Sequence, residues 1–356
     1  MESRPLNQRP KPLPNRPSKR PPNSLSSSVF LSLGLVVSIA ALFGCLFLSL
    51  SLGAADIDGG TVWRSLFQFD ESSVDQLIIR TVRLPRAMFA IIAGAALAVS
   101  GAITQGLTRN PLAAPDILGV NVGASFAMVL AITLNGQGSI GFAFAGAAVT
   151  ACTVYWLGSM GRSGLTPVKL IIAGAALTSL LSSLTTGFLI LNQRTLEDIR
   201  LWLAGSLAGQ DLDTMLPVLP YIAMGLAGSL LLGRQLTLLN LGEDVAQGLG
   251  LQTGWVKVAA AVIVVLLAGG VVSLAGPIGF LGLVIPHVVR FGVGVDYRWI
   301  LPYSMVAGGI FLSIADTIAR YALRPFELPV GIMTAIIGAP FFIGLVRSRL
   351  KSRNKR

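Results

Sequence analysis

The residues best placed to do chemistry in this chain are charges set at the ends of apolar runs, and their chemistry is the recognition of other charges. Arg83, Leu84, Pro85 and Arg86 open a long apolar run rich in small residues, and Arg320 closes another. A guanidinium is a planar fork of donors that takes a carboxylate bidentately and steers encounter. Arg83, Arg86 and Arg320 would therefore suit a positive rim that meets acidic groups of a soluble partner. They would equally suit arginines that snorkel to lipid head groups, and charge alone does not separate the two.

A second polar island runs from Leu239 to Thr253 and contains Leu241, Gly242, Glu243, Asp244, Val245, Ala246, Gln247, Gly248, Leu249 and Gly250. Glu243 and Asp244 suit a helix N-terminus, and Gly248 and Gly250 can end a short helix. The spacing predicts a folded knob, with a plain connecting loop as the alternative. The third island, Asn110, Pro111, Leu112, Ala113, Ala114, Pro115 and Asp116 with Asn121, is a turn held by its prolines.

Catalysis finds little support. Cys45 and Cys152 lie inside apolar runs and are read as small buried hydrophobes, and the lone His287, after Pro286, is read as a packed polar residue. Nothing pairs a nucleophile with a base. Gly158 to Lys169 has glycines and a lysine at the wrong spacing for a phosphate loop. If ATP drives this protein, a separate subunit hydrolyses it.

The elements that carry these charges follow from composition. Of 356 residues 53% are hydrophobic and 12% charged, with a mean hydropathy of +0.73, so the solvent for most of the chain is a bilayer rather than a single soluble core. About ten stretches are long enough to cross roughly 30 Å of hydrocarbon: 29–52, 86–107, 117–134, 139–160, 166–191, 214–236, 255–275, 279–294, 300–320 and 329–346. The expected organisation is a disordered basic tail over 1–28, a transmembrane domain over 29–346 and a basic tail over 347–356. The first apolar run is long enough to span, so it is read as an uncleaved helix. Both termini carry clustered lysine and arginine, which predicts that both are cytoplasmic. The same count puts the Asn110 turn and the Leu239 island on the cytoplasmic side and Arg83, Arg86 and Arg320 on the outer side.

Taken in order, these marks resemble the FecCD-like permease subunits of ABC importers for iron siderophores, haem and cobalamin. They are Arg83-Leu84-Pro85-Arg86, Gly94 to Gly101 with Gln105, Asn110 to Ala113 with Pro115 and Gly119, and Leu241 to Leu251. Gly276 to His287 with Arg290 follows, and then Ala315, Asp316, Ala319 and Arg320 before Glu327, Leu328, Pro329 and Gly331. The resemblance implies an all-α polytopic membrane protein of about ten helices with the BtuC-like fold. It implies a second permease subunit of the same or a related chain, ATPase subunits that bind ATP and Mg, and an extracytoplasmic substrate-binding protein. The chain itself would bind no cofactor, metal or nucleic acid and would not be an enzyme.

By the same likeness Arg83, Arg86 and Arg320 meet acidic residues of the binding protein. The stretch with Leu241, Gly242, Glu243, Asp244, Ala246, Gly248, Leu249 and Gly250 sits in a cleft of the ATPase. Asp316, one turn before Arg320, pairs with it and steadies the guanidinium. The expected function is import of a ferric siderophore across the cell inner (plasma) membrane, with haem or cobalamin as the alternative cargo. A transporter driven by an ion gradient needs acids near mid-membrane, and the sequence places its acids at span ends and in loops.

Overall fold

The computed structural model describes residues 24–53, 57–161, 165–324 and 326–353. Most of the expected N-terminal tail, Arg162 in the 160–166 loop, and the last residues of the C-terminal tail lie outside them. The described ends are helical: α1 (Ser24–Ser51) begins inside the expected tail, and the final helix runs on to Arg353.

Apolar runs broken by glycine, proline and Asx caps fold into helices. After α1 come α2 (Gly59–Phe67) and α3 (Val74–Ile78), which passes through a π turn (Ile79–Arg83) into α4 (Leu84–Thr108). A 3-10 turn (Pro115–Leu118) leads to α5 (Val120–Asn135), α6 (Ile140–Ser159), α7 (Pro167–Leu191), α8 (Gln193–Leu203) and α9 (Leu212–Met215). Next are α10 (Leu219–Leu231), α11 (Gly233–Asn240), α12 (Glu243–Gly248) and α13 (Thr253–Val264), whose π turn (Val265–Gly269) continues into α14 (Gly270–Ala275). The chain ends with α15 (Leu281–Val293), α16 (Tyr297–Ala322) and α17 (Val330–Arg353).

Among the described residues six helical stretches are long and apolar enough to span: 28–51, 74–108, 140–159, 167–191, 253–275 and 297–322. The α10–α11 pair, bent by 55°, is a seventh, and 120–135, 281–293 and 330–344 are shorter apolar helices. These occupy the ten places expected from hydropathy. The second span is longer than its apolar run because α3 and the π turn extend it beyond Arg86.

Helix α4 is the central post, with 83% of its apolar window buried. It packs on α16, α15, α13, α11 and α10. Between apolar helices in lipid, close backbone approach replaces the hydrophobic drive, and small residues permit it. A methyl group on Gly94 would fall 2.2 Å from the carbonyl oxygen of Gly308 in α16, and one on Gly101 1.9 Å from that of Gly282 in α15. Around this post α7 is open, with 17% of its window buried, and Ile172, Leu180 and Leu184 stand exposed on it. Ile336 and Ile343 do the same on α17.

The turn from Asn110 to Pro115 departs from its expected position beyond the end of α4. Arg109 closes that helix in a left-handed conformation, φ 49°, and Asn110 Oδ1 accepts from the Leu112 amide at 3.0 Å. Pro111 thus reverses the chain, which climbs back along α4. A methyl at Gly282 would stand 3.0 Å both from the Leu97 carbonyl oxygen and from Pro115 Cδ. Leu97 is about 16 Å along the axis from the end of α4 at Thr108. Pro115 therefore sits near mid-depth, not at the mouth, because the small residues of α4 and α15 leave the backbone room to enter.

Candidate functional site

Three places concentrate the polar groups: the end of the bundle carrying Arg86, the opposite end carrying α12, and the middle.

At the first, the guanidinium groups turn inward. Arg86 donates from Nε to Asp316 Oδ1 and Oδ2 at 3.1 and 3.2 Å and from Nη2 to Oδ1 at 2.9 Å, while Nη1 reaches Glu327 Oε2 at 2.6 Å. Arg320 Nε lies 3.1 Å from Asp316 Oδ2, the pairing expected from their spacing. Its Nη1 donates to the Leu52 carbonyl at 3.1 Å, and its Nη2 to Ser49 Oγ at 2.7 Å and the Ser49 carbonyl at 3.2 Å. Arg83 Nη1 donates to the carbonyls of Leu50 and Ser51 at 2.7 and 3.1 Å. The last carbonyls of a helix lack partners and carry partial negative charge. Arg83 and Arg320 satisfy them at the C-terminus of α1.

Arg83, Arg86 and Arg320 are 7%, 8% and 4% exposed and Asp316 is fully buried. An outward rim of free guanidinium groups, the expectation from sequence, is thus not what the lone subunit presents. A buried cation must find anions or carbonyls, and here it finds both within the chain. Among these groups the Glu327 side chain is the open one, at 36% exposure. Arg80 lies over the Phe69 ring nearby in sequence, exposed to solvent or lipid.

At the opposite end α12 forms a short folded knob, as expected. Gly242, at φ 127°, turns the chain into it, and Gly250, at φ 82°, turns it out. Ala246 packs inward, fully buried, whereas Leu241, Val245 and Leu249 are 63%, 50% and 62% exposed. Val245 and Leu249 lie one turn apart and share a helix face, and with Leu241, exposed just before the Gly242 turn, they give the knob an exposed apolar ridge. Asp244, Gly248 and Gly250 are exposed beside it.

Glu243 does not join that face. Its Oε1 accepts from Lys257 Nζ at 2.6 Å and Thr253 Oγ1 at 3.2 Å, and Arg109 Nη2 lies 3.8 Å from Oε2. Partial burial pushes the Glu243 carboxyl up, but the Lys257 hydrogen bond and charge, with Thr253 and Arg109, outweigh it and hold the carboxyl below its ordinary range. Sequence reasoning gave Lys257 no role. Its signal was a lysine inside an otherwise apolar span, which the bilayer tolerates only with a partner.

In the middle, two helices are broken. Helix α5 starts near mid-depth after Gly119, at φ 70°, with Gly123 packed against Gly146 and Thr150 halfway along α6. Helix α15 starts at Leu281, after the non-helical stretch from Gly276 to Phe280 has come back from the Arg86 end. The two starts meet at a small cavity lined by Leu97, Pro115, Asp116, Asn121, Phe280 and Gly282. Asn121 Nδ2 donates to Asp116 Oδ1, so one acid stands near mid-depth, against the expectation that the acids lie at span ends and in loops. Helix α7 touches this locus through Gly174 against Ile117, and α17 through Gly338 against Phe280.

The remaining sequence candidates behave simply. His287 is buried in α15, edge-on to Phe291 at 5.0 Å, and Pro286 is buried beside it. The cysteines are not the buried hydrophobes expected: Cys45 is half-buried and Cys152 exposed, both free. An apolar side chain gains nothing by leaving lipid, so nothing draws either thiol inward.

A broken-helix bundle with a polar cluster at each end matches a known pattern of sequence as well. The model of the FecCD transport family matches residues 41–348. The chain belongs to the FecCD transport family. Among FecCD relatives it is 48% identical over 299 residues to the probable siderophore transport system permease protein YfiZ of Bacillus subtilis, covering 82% of this chain and 90% of that one. It is 47% identical over 305 residues to the iron(3+)-hydroxamate import system permease protein FhuB of the same organism, covering 85% and 79%. Among solved structures, a metal-chelate type ABC transporter in an inward-facing conformation superposes with a TM-score of 0.77 at 31% identity, covering 90% of this chain and 99% of that one. This FecCD chain is a multi-pass membrane permease subunit of an ABC transporter, and not itself an enzyme.

Proposed function

We propose that this permease imports a ferric siderophore, with ATP hydrolysed on a separate ATPase subunit and the chelate delivered by an extracytoplasmic binding protein. The observation that carries the reading is the pair of half-helices meeting at mid-depth beside the open faces of α7 and α17. Discontinuous helices at the midplane are where transporters expose backbone to cargo. The names of the relatives at 48% and 47% identity supply the chelate class.

Both termini are cytoplasmic in this reading, which sets α12 inside and the Arg86 cluster outside. The apolar ridge of Leu241, Val245 and Leu249 seats in the ATPase, with Asp244, Gly248 and Gly250 at its margin. Arg86, with Arg83 and Arg320 behind it, meets carboxylates of the binding protein. A second permease, the same or a related chain, covers the exposed apolar faces of α7 and α17 and closes the path between them.

The test is reconstitution of the permease, its ATPase and its binding protein in vesicles supplied with iron-55 hydroxamate or catecholate chelates, with haem and cobalamin as competitors. ATP-dependent uptake of a ferric chelate, unaffected by a protonophore, is the expected result. Uptake of cobalamin or haem alone would move the cargo assignment, and uptake that needs the proton gradient and not ATP would overturn the reading.

A further inference from the structure

Lys257 holds two parts of the molecule together that α13 alone would not join. Its ammonium donates to Glu243 Oε1, at the first residue of the α12 knob, at 2.6 Å. It also donates to the carbonyl of Leu165 at 3.2 Å. Leu165 lies two residues before α7, next to its cap, and the start of that helix is stiff: Thr166 caps it by accepting from the Lys169 amide at 3.4 Å, and Pro167 occupies its first turn. Leu165 further packs toward Gly158 at the end of α6. A displacement of its carbonyl is therefore a displacement of the end of α7.

The joint is dry on the lysine side, where 9% of the side chain is exposed, and Lys257 is the closest cation to Glu243. An ammonium in so little water keeps its anionic partner, because separation would leave a buried charge unpaired. On the far side of the joint, α7 is the least buried long span after α1 and reaches the mid-depth break through Gly174 and Ile117. One continuous chain of contacts thus runs from α12 through Glu243, Lys257 and Leu165 into a helix that borders the broken middle.

We propose that Lys257 is the positioning residue that couples the two: it ties the knob to α7, so that movement imposed on α12 by the ATPase is carried to the path. This rests on the transport reading above. Lys257 touches neither nucleotide nor chelate, and it acts by keeping Glu243 and the start of α7 in one body.

The test uses the full reconstituted complex and reads chelate imported per ATP hydrolysed. Lys257→Met keeps the length of the side chain and removes the ammonium. The ridge of Leu241, Val245 and Leu249 is untouched, so the ATPase should still assemble and hydrolyse ATP while uptake per ATP falls about tenfold, within the ordinary range of a coupling free energy. Lys257→Arg, with a donor for each acceptor, should recover most of the native ratio, which a lysine needed only for bulk would not require.

A Lys257→Met complex that imports at the native ratio overturns the inference, and so does one that loses its ATPase, since the lysine would then serve assembly. If Lys257→Met does not accumulate in the membrane, Glu243→Gln carries the same test. It leaves an acceptor and removes the charge, and an unchanged ratio there is equally fatal. Failure of the unsubstituted complex to import on ATP would sink the transport reading itself, and this inference with it.

Discussion

Replacing Asp316 by leucine strips the fully buried carboxylate from between Arg86 and Arg320. At 3.1 Å and an effective dielectric of about 20, each guanidinium loses roughly 5 kcal/mol of gross attraction. Relief of the carboxylate's own desolvation returns much of that, so the net cost is the one seen when a single partner of a buried pair is removed, about 3–5 kcal/mol. Arg86 retains Glu327, and Arg320 retains the carbonyls of Ser49 and Leu52, which favours the lower end. For a chain longer than 250 residues about 2 °C is lost per kcal/mol, so the midpoint should drop by roughly 6–10 °C.

A thiol-reactive dye reports this directly, in detergent and on a Cys152→Ser background. The remaining Cys45 is half-buried in α1, the helix whose C-terminus Arg83 and Arg320 hold. Dye reaction at Cys45 should therefore advance with the loss of the cluster. Arg86→Met combined with Asp316→Leu should recover part of the loss, because an apolar pair replaces a broken ionic one. A midpoint for Asp316→Leu within a degree or two of the native protein would refute the argument that these arginines need the carboxylate.

Other consequences are open to measurement. Glu327 neutralises Arg86 from the open side of the cluster, so Glu327→Gln should tighten binding of an acidic binding protein by about fivefold, a gain within the range for close charge pairs at interfaces; weaker binding would show that Glu327 itself makes the contact. Leu249→Asp places a charge on the exposed ridge of α12 and should abolish copurification of the ATPase without changing the fold, as judged by an unaltered unfolding midpoint. Gly101→Ala drives a methyl into the backbone of Gly282 and should destabilise by about 1–3 kcal/mol, whereas Gly187, with no neighbour within 4 Å, should accept alanine with no loss; equal behaviour of the two would contradict the close crossing of α4 and α15. The Glu243 carboxyl titrates below its ordinary 4.5 in the fold, so its contribution is complete above that value and lost as pH falls through the lower folded one. Hydrogen-exchange protection of Ala246, corrected for intrinsic rates, should follow that course and lose it in Glu243→Gln; protection unchanged well below 4.5 would refute it.

Hydropathy in the sequence was enough to mark a multi-pass helical membrane protein with about ten apolar stretches, since apolar length is read against a bilayer of constant thickness and no long-range pairing is needed. The ordered marks from Arg83 to Gly331 carried the family, and the spacing of Asp316 and Arg320 carried their pairing. The knob was legible because Glu243, Asp244, Gly248 and Gly250 bracket one short helix.

Three matters were decided only by tertiary packing. The direction of Arg83, Arg86 and Arg320 depends on where the carbonyl end of α1 and the carboxylate of Glu327 come to rest, which no local rule encodes. Pro111 and Pro115 announce a turn but not its depth, which is set by how closely α4 and α15 approach at Gly101 and Gly282. Lys257 gained a role only when Glu243, fourteen positions earlier, and Leu165, ninety-two earlier, were brought to the same ammonium. Periodicity places a side chain on a face of its own helix, and the partner on the other side belongs to the assembled fold.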